Sequence, residues 1–246
     1  MAKPRIAIFD FACCEGCQLQ VVNLEAEMVD LLNAVEIVQF REAMSEKTDD
    51  YAIAFVEGSI TREKDIPRLK KIREQAAVLV ALGACATIGG VNCLKNFQPL
   101  DDVRKYVYGD KADWYETFAA RPIDAVVPVD HYIHGCPIHK DEFVKVVKSL
   151  LLGKKPEIPT YPVCVECKRA GNVCVFELGM KCLGPVTRAG CGAWCPTYRD
   201  NCQGCRGMVP DPNTNAEKEV LKKYGLTVDQ AVGQFRIFLG YSEVAK

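Results

Sequence analysis

Cysteine is the residue type whose number and spacing carry chemistry here. The chain has 14 cysteines in 246 residues, roughly one in 18. Cys13, Cys14, Cys17, Cys85 and Cys136 lie in the first half, just after or at the end of apolar runs. Eight more fall between Cys164 and Cys205. They read C-V-E-C-(x6)-C-(x7)-C at Cys164, Cys167, Cys174 and Cys182, then C-x3-C-(x6)-C-x2-C at Cys191, Cys195, Cys202 and Cys205. Disulfides need an oxidising compartment. The N-terminus, MAKPRIAIFDFACC, has no basic segment leading into an apolar stretch, and no apolar run reaches the length of a membrane span. The expectation is a cytoplasmic chain without a membrane span, whose cysteines are metal ligands rather than bridges. Two sets of four in the second half suit structural zinc or iron–sulfur clusters, and their spacing leaves both open. A further convergence of cysteines in the first half tips the reading toward iron and sulfide, because three four-thiolate sites in one chain suit an electron wire.

The elements that must position these thiols change character near residue 150. Before it, apolar runs alternate with amphipathic stretches. Strands are expected at Arg5–Phe11, Val35–Phe40, Tyr51–Gly58, Ala77–Cys85 and Asp124–Asp130. Helices are expected over Gln18–Ala34, over TREKDIPRLKKIREQA, and over DEFVKVVKSLLLG, which Gly153 and Pro156 stop. The stretch near Asp101–Ala120 reads as irregular. Such alternation, with near-continuous apolar strands, means a parallel sheet covered on both faces. In an open sheet of this kind ligands sit outside the carboxyl ends of the strands, which is where the first-half cysteines fall. Cys17 would lie near a helix N-terminus, whose dipole favours thiolate. From KKPEIPTYP onward apolar runs are few and Gly and Pro many, so this segment needs internal staples. The tail regains helical periodicity in AEKEVLKKYG and TVDQAVGQFRIFLG, the latter opened by the capping-box pair Thr227 and Gln230. No internal repeat is visible.

Net charge is −1, from 31 basic and 32 acidic side chains, which argues against nucleic acid or an anionic membrane surface as the main partner. The glycines Gly83, Gly89 and Gly90 form no G-x-G-x-x-G and there is no P-loop. A nucleotide or flavin, if used, is expected on a partner.

Seven segments together resemble one family: FACCEGCQLQ, FVEGSI, ALGACATIGGV, YIHGCP, YPVCVEC, CLGPVTRAGC and CQGCRG. In order and spacing the chain is similar to the small, electron-transferring subunits of NiFe hydrogenases, in the cytoplasmic branch with the sulfhydrogenase delta and NAD(P)- or methanogen-linked subunits. The resemblance implies an α/β fold: a flavodoxin-like parallel-sheet domain over 1–153, then a small irregular iron–sulfur domain with C-terminal helices over 154–246. It implies three 4Fe-4S clusters. Cys14, Cys17, Cys85 and Cys136 would hold the proximal one, Cys191, Cys195, Cys202 and Cys205 the medial one, and Cys164, Cys167, Cys174 and Cys182 the distal one. It implies no catalytic residue in this chain, a NiFe-containing large subunit as partner, and a flavoprotein or ferredoxin-like diaphorase subunit as a further one. Differences from periplasmic relatives stand at Cys164, a histidine there, and at Cys195, a proline there. The adjacent pair Cys13-Cys14 also resembles the iron–sulfur subunit of quinone reductases, which leaves Cys13 as a rival to Cys17. A quinone-reductase-type subunit and a zinc-stapled binding module are the alternatives.

Other residues have two readings each. Cys13 and Cys93, left over from the twelve, read as packing residues. Glu15, inside the C-x2-C, faces the large subunit or is simply solvated. Gly16 lets the backbone approach closely. Glu57 tunes the proximal site or moves protons, or it is a carboxylate set at a helix start. His131, His134 and His139 flank Cys136 as hydrogen-bond donors to a cluster or as loop residues.

Overall fold

The structure, a computed structural model, describes residues 3–242. Five parallel strands form one sheet in the order β2-β1-β3-β4-β5. They are β1 (Arg5–Asp10), β2 (Glu36–Phe40), β3 (Ile53–Glu57), β4 (Val78–Leu82) and β5 (His131–Ile133). This is the flavodoxin-like order, whose switch point lies between β1 and β3. Side chains alternate across it with period two. Ile6, Ile8, Phe40, Phe55, Val80 and Leu82 face one core with Val21, Phe143, Val146 and Val147. Ala7, Phe9, Val38, Ala54, Val56, Leu79 and Ala81 face the other with Leu69 and Ile72. The first face is covered by α1 (Gly16–Val22), α2 (Ala26–Ala34) and α6 (Lys140–Leu151), the second by α3 (Asp65–Gln75).

Four expectations are corrected. The helix expected over Gln18–Ala34 is two, broken where Glu25 takes φ 54°. The strand expected to end at Cys85 ends at Leu82, and Gly83 opens α4 (Gly83–Ile88), so Cys85 sits in a helical turn. The apolar run Asp124–Asp130 is not a strand. Ile123 and Val127, four apart, both turn into the core from a 3-10 turn (Ile123–Ala125), and Asp130 first meets β4 through its N–H on the Leu79 carbonyl. The strand starts only at His131. The stretch expected to be irregular contains α5 (Leu100–Tyr108) and a 3-10 turn (Gly109–Trp114); α5 buries none of its side chains, although Leu100, Val103 and Val107 recur at helical spacing.

Beyond α6 the backbone is mostly irregular, with only α7 (Val163–Arg169) and α8 (Trp194–Thr197) before the closing helices α9 (Thr214–Lys223) and α10 (Val228–Leu239). Thr227 and Gln230 cap α10 reciprocally, as their spacing predicts. Leu183, Val186, Leu221, Leu226, Phe235 and Leu239 make a local core. Helix α10 also reaches back to the 3-10 turn Gly90–Phe97, where the Arg236 guanidinium lies 4.4 Å from the Phe97 ring centre.

Candidate metal centres

The proximal set assembles beyond the carboxyl ends of β1, β3, β4 and β5. Cys13, Cys14 and Cys17 follow β1, Cys85 follows β4 and Cys136 follows β5. The Ala84 N–H donates to the Gly135 carbonyl at 2.7 Å, which ties the Cys85 and Cys136 loops together. Glu15 takes a left-handed φ of 63° between Cys14 and Cys17 and so starts α1 at once. A Cβ on Gly83 would lie 2.3 Å from Cys17 Sγ, and one on Gly16 3.3 Å from Cys14 Sγ. Both glycines therefore border thiols. Cys85 lies within electrostatic reach of Cys13, Cys14, Cys17 and Cys136, so Cys13 remains beside the expected ligands. Cys17 and Cys85 are buried, whereas Cys14 and Cys136 are exposed on one open side.

The other eight thiols form two adjoining groups. Cys164, Cys167, Cys174 and Cys182 interact with one another. A Cβ on Gly184 would stand 3.3 Å from Cys182 Sγ and 3.4 Å from Cys164 Sγ, so these two flank that backbone. Asn172 Nδ2 donates to Cys167 Sγ at 3.8 Å. Cys191, Cys195, Cys202 and Cys205, with Cys136, line a cavity of about 190 Å³. The groups adjoin in series. Cys136 lines the same cavity as Cys205, and the Cys202 N–H donates to Cys182 Sγ at 3.4 Å. The larger grooves, about 660 Å³ beside Arg121 and about 810 Å³ along α6, contain no cysteine, so size does not mark the chemistry.

Burial decides the state of these thiols. It pushes Cys85 and Cys164 up to about 12 and Cys205 up to about 11, and raises Cys136, Cys182, Cys195 and Cys202, with neighbouring thiols adding to the effect. Cys17 is raised by burial and then by Glu57, against the dipole of its helix start. Seven residues of helix cannot outweigh the loss of water. Such thiols ionise only when a bound cation supplies the charge. Among the described residues no three His, Cys, Asp or Glu side chains close on one point as a lone ion requires. Thiols are the donors that iron–sulfur clusters take, and they stand here in three neighbouring sets.

Residues around the thiols hold the loops. Glu57, at the end of β3, is 2% exposed. It accepts from the N–H groups of Cys17 (3.1 Å) and Gln18 (3.2 Å) and from Gln18 Nε2 (3.2 Å). Its geometry is that of a carboxylate at a helix start. Cys93 is fully buried and donates to the Ala120 carbonyl, as a packing residue would. His134 stacks on Tyr132 and keeps Nδ1 buried, while His139 precedes α6, with Nδ1 3.9 Å from Asp141. Sequence reasoning missed two charged residues. Glu166, within the C-V-E-C, accepts from the N–H groups of Gly190 (2.9 Å) and Ala193 (3.2 Å), on either side of Cys191. Arg206, next to Cys205, forms a buried fork with Glu142. The first could have been suspected from its place between ligands; the second has no local signal.

The family model described as NADH ubiquinone oxidoreductase, 20 Kd subunit, matches residues 14–150. Sulfhydrogenase 2 subunit delta of Pyrococcus furiosus is 36% identical over 221 residues, covering 89% of this chain and 92% of that protein. A subunit of the vhu F420-non-reducing hydrogenase of Methanococcus voltae is 30% identical over 261 residues, covering 94% of this chain and 91% of that protein. The NAD-reducing hydrogenase HoxS subunit delta of Cupriavidus necator is 28% identical and covers 64% of this chain and 83% of that protein. Among solved structures, a chain of an NAD+-reducing [NiFe]-hydrogenase in the H2-reduced state superposes with a TM-score of 0.59 at 25% identity, covering 64% of this chain and 96% of that one. The 20 Kd model stops at residue 150, but the sulfhydrogenase likeness runs through the cysteine-rich second half as well. The chain belongs to the 20 Kd-subunit family and, within it, to the small subunits of NiFe hydrogenases.

Proposed function

We propose that this chain relays electrons between the NiFe site of a large subunit and a flavin-, NAD(P)- or ferredoxin-linked partner. The twelve cysteines would hold three 4Fe-4S clusters: Cys14, Cys17, Cys85 and Cys136 the proximal, Cys191, Cys195, Cys202 and Cys205 the medial, and Cys164, Cys167, Cys174 and Cys182 the distal. When bound, such clusters carry one electron at a time. The observation that carries the reading is the adjacency of the three thiol sets: Cys136 lines one cavity with Cys191, Cys195, Cys202 and Cys205, and the Cys202 N–H donates to Cys182 Sγ. The residues of this chain supply ligands, spacing and exclusion of water. Domain limits of 1–153 and 154–246 follow the change of backbone after α6.

The open side bearing Cys14 and Cys136 is the face we assign to the large subunit, with Glu15, Gly16 and the loop after Cys85 inside the contact. We place the chain in the cytoplasm, where unliganded thiols stay reduced until a cluster takes them. Among the described residues no helix is long and apolar enough to cross a membrane. The quinone-reductase reading accounts only for the first half, where the 20 Kd model matches.

Metal analysis tests the proposal. The chain is purified anaerobically together with its large subunit, and iron, acid-labile sulfide and zinc are counted. Roughly twelve irons and as many sulfides belonging to this subunit support it. Zinc with no iron refutes it, and four irons alone favour the quinone-reductase type.

A further inference from the structure

Arg206 is the largest fully buried side chain, 1% exposed, although it immediately follows a ligand cysteine. A buried guanidinium is tolerated only when its donors are paired. Here they are paired with three separate segments. Nε donates to the Ala189 carbonyl at 2.8 Å. Nη1 donates to the His134 carbonyl at 2.6 Å and to Glu142 Oε2 at 2.9 Å. Nη2 donates to Glu142 Oε1 at 2.6 Å. Two of these acceptors are themselves placed by function. His134 stands two residues before Cys136 and Ala189 two before Cys191. Glu142 belongs to α6, which packs on the sheet.

The fork leaves no slack. Gly190 takes φ +117°, and a Cβ there would lie 2.3 Å from Arg206 Nη2 and 2.9 Å from Glu142 Oε1. The loop between Ala189 and Cys191 is therefore pressed against the ion pair by a residue without a side chain. The neighbouring Cys205 lines one cavity with Cys136, so the guanidinium joins the loops of these two thiols beside that cavity.

We propose that Arg206 and Glu142 form a clamp that fixes the separation of the proximal and medial sites. Arg206 is a positioning residue and not a ligand. Its planar, forked donors let it span three segments at once, which a lysine ammonium on one flexible stem cannot do. Electron transfer between two centres falls steeply with their separation, so a clamp at this seam sets the rate of one step and leaves the medial-to-distal step alone. The distal set lies on the other side of the Cys202–Cys182 contact and is an internal control.

This inference rests on the relay reading, and the experiment separates the two. Wild type, Arg206→Lys and Glu142→Gln are each purified anaerobically with the large subunit. Iron is counted, and electron paramagnetic resonance of the fully reduced complex reads the magnetic interaction between clusters. In Arg206→Lys we expect iron retained, the splitting from the proximal–medial pair lost or smeared, the distal signal unchanged, and hydrogen-dependent dye reduction slowed. Where Arg206→Lys fails to load the medial site, Glu142→Gln decides. It keeps both carbonyl contacts of the guanidinium and weakens only the fork, so a partial loss of the same splitting is expected. An unchanged splitting and rate in the loaded variant overturn the clamp. Absence of iron from the wild type overturns the relay reading instead.

Discussion

Replacing Gly83 by alanine tests whether the backbone after β4 is shaped around a ligand thiol. Gly83 takes φ +82°, a left-handed conformation that costs an L-residue about 1–2 kcal/mol. The new methyl would also lie 2.3 Å from Cys17 Sγ. Overpacking of that kind costs about 1–3 kcal/mol, because the thiol is buried and the Cys17 N–H is tied to Glu57. The sum is roughly 2–5 kcal/mol, which for a chain of this size lowers Tm by roughly 4–20 °C. Gly153→Ala is the matched control. Gly153 takes φ +64° but a Cβ there meets nothing within 4 Å, so only the backbone share of about 1–2 kcal/mol remains. Thermal unfolding of the two variants gives the difference, and iron content gives its meaning. Gly83→Ala should lose roughly four of twelve irons, the proximal share, while Gly153→Ala keeps all of them. Equal Tm values with full iron in both would refute the argument that Gly83 exists to admit Cys17.

Three further outcomes are expected. Cys195→Ser leaves Cys191, Cys202 and Cys205 in place, so the medial site should hold three irons, visible as a new resonance in the oxidised complex; an unchanged spectrum means that Cys195 is not a ligand. Asp130 should govern an acid limb of stability. Burial opposes its ionisation, but the Arg73 guanidinium at 2.5 Å and the Leu79 N–H at 2.7 Å outweigh that and hold its carboxyl below the usual range. Its contribution is therefore fully present above the ordinary aspartate range and lost as pH falls through the depressed value. Asp130→Asn should lower Tm at neutral pH and converge on wild type in strong acid, whereas a constant offset at every pH contradicts this. The chain expressed without its large subunit should aggregate or lose its proximal cluster, since that site opens on one side through Cys14 and Cys136, and coexpression should restore it. A soluble monomer with full iron content would contradict that expectation.

Patterns that repeat or recur locally are legible in the chain. The first four strands announce themselves as short apolar runs with two buried faces, and their order along the chain already requires crossovers to parallel neighbours. The cysteine sets are legible because ligand spacing survives any loop conformation. The fifth strand is misplaced by its apolar pattern because the stronger run, through Val126 and Val127, packs as a turn, while the true strand is three residues and begins with histidine. Helix α5 is legible in the spacing of Leu100, Val103 and Val107, but that stripe is short and none of it is buried. The pairing of Arg206 with Glu142 spans 64 residues and is invisible for the same reason that most tertiary ion pairs are: neither residue has a spacing that implicates the other. The helix start beside Cys17 is legible in the chain, but the burial that raises its thiol against the dipole is not.

The relay is tested most directly by reducing the anaerobic complex of this chain and its large subunit with hydrogen alone and following the iron–sulfur signals by potentiometric electron paramagnetic resonance. The account predicts about three reduced four-iron clusters in this chain, each filled from hydrogen without added mediator to the chain, with Cys191→Ser removing the medial signal and blocking reduction of the distal one. A distal signal that still fills from hydrogen in that variant, or a wild-type chain that shows one cluster only, would contradict the serial path through Cys136, Cys205, Cys202 and Cys182.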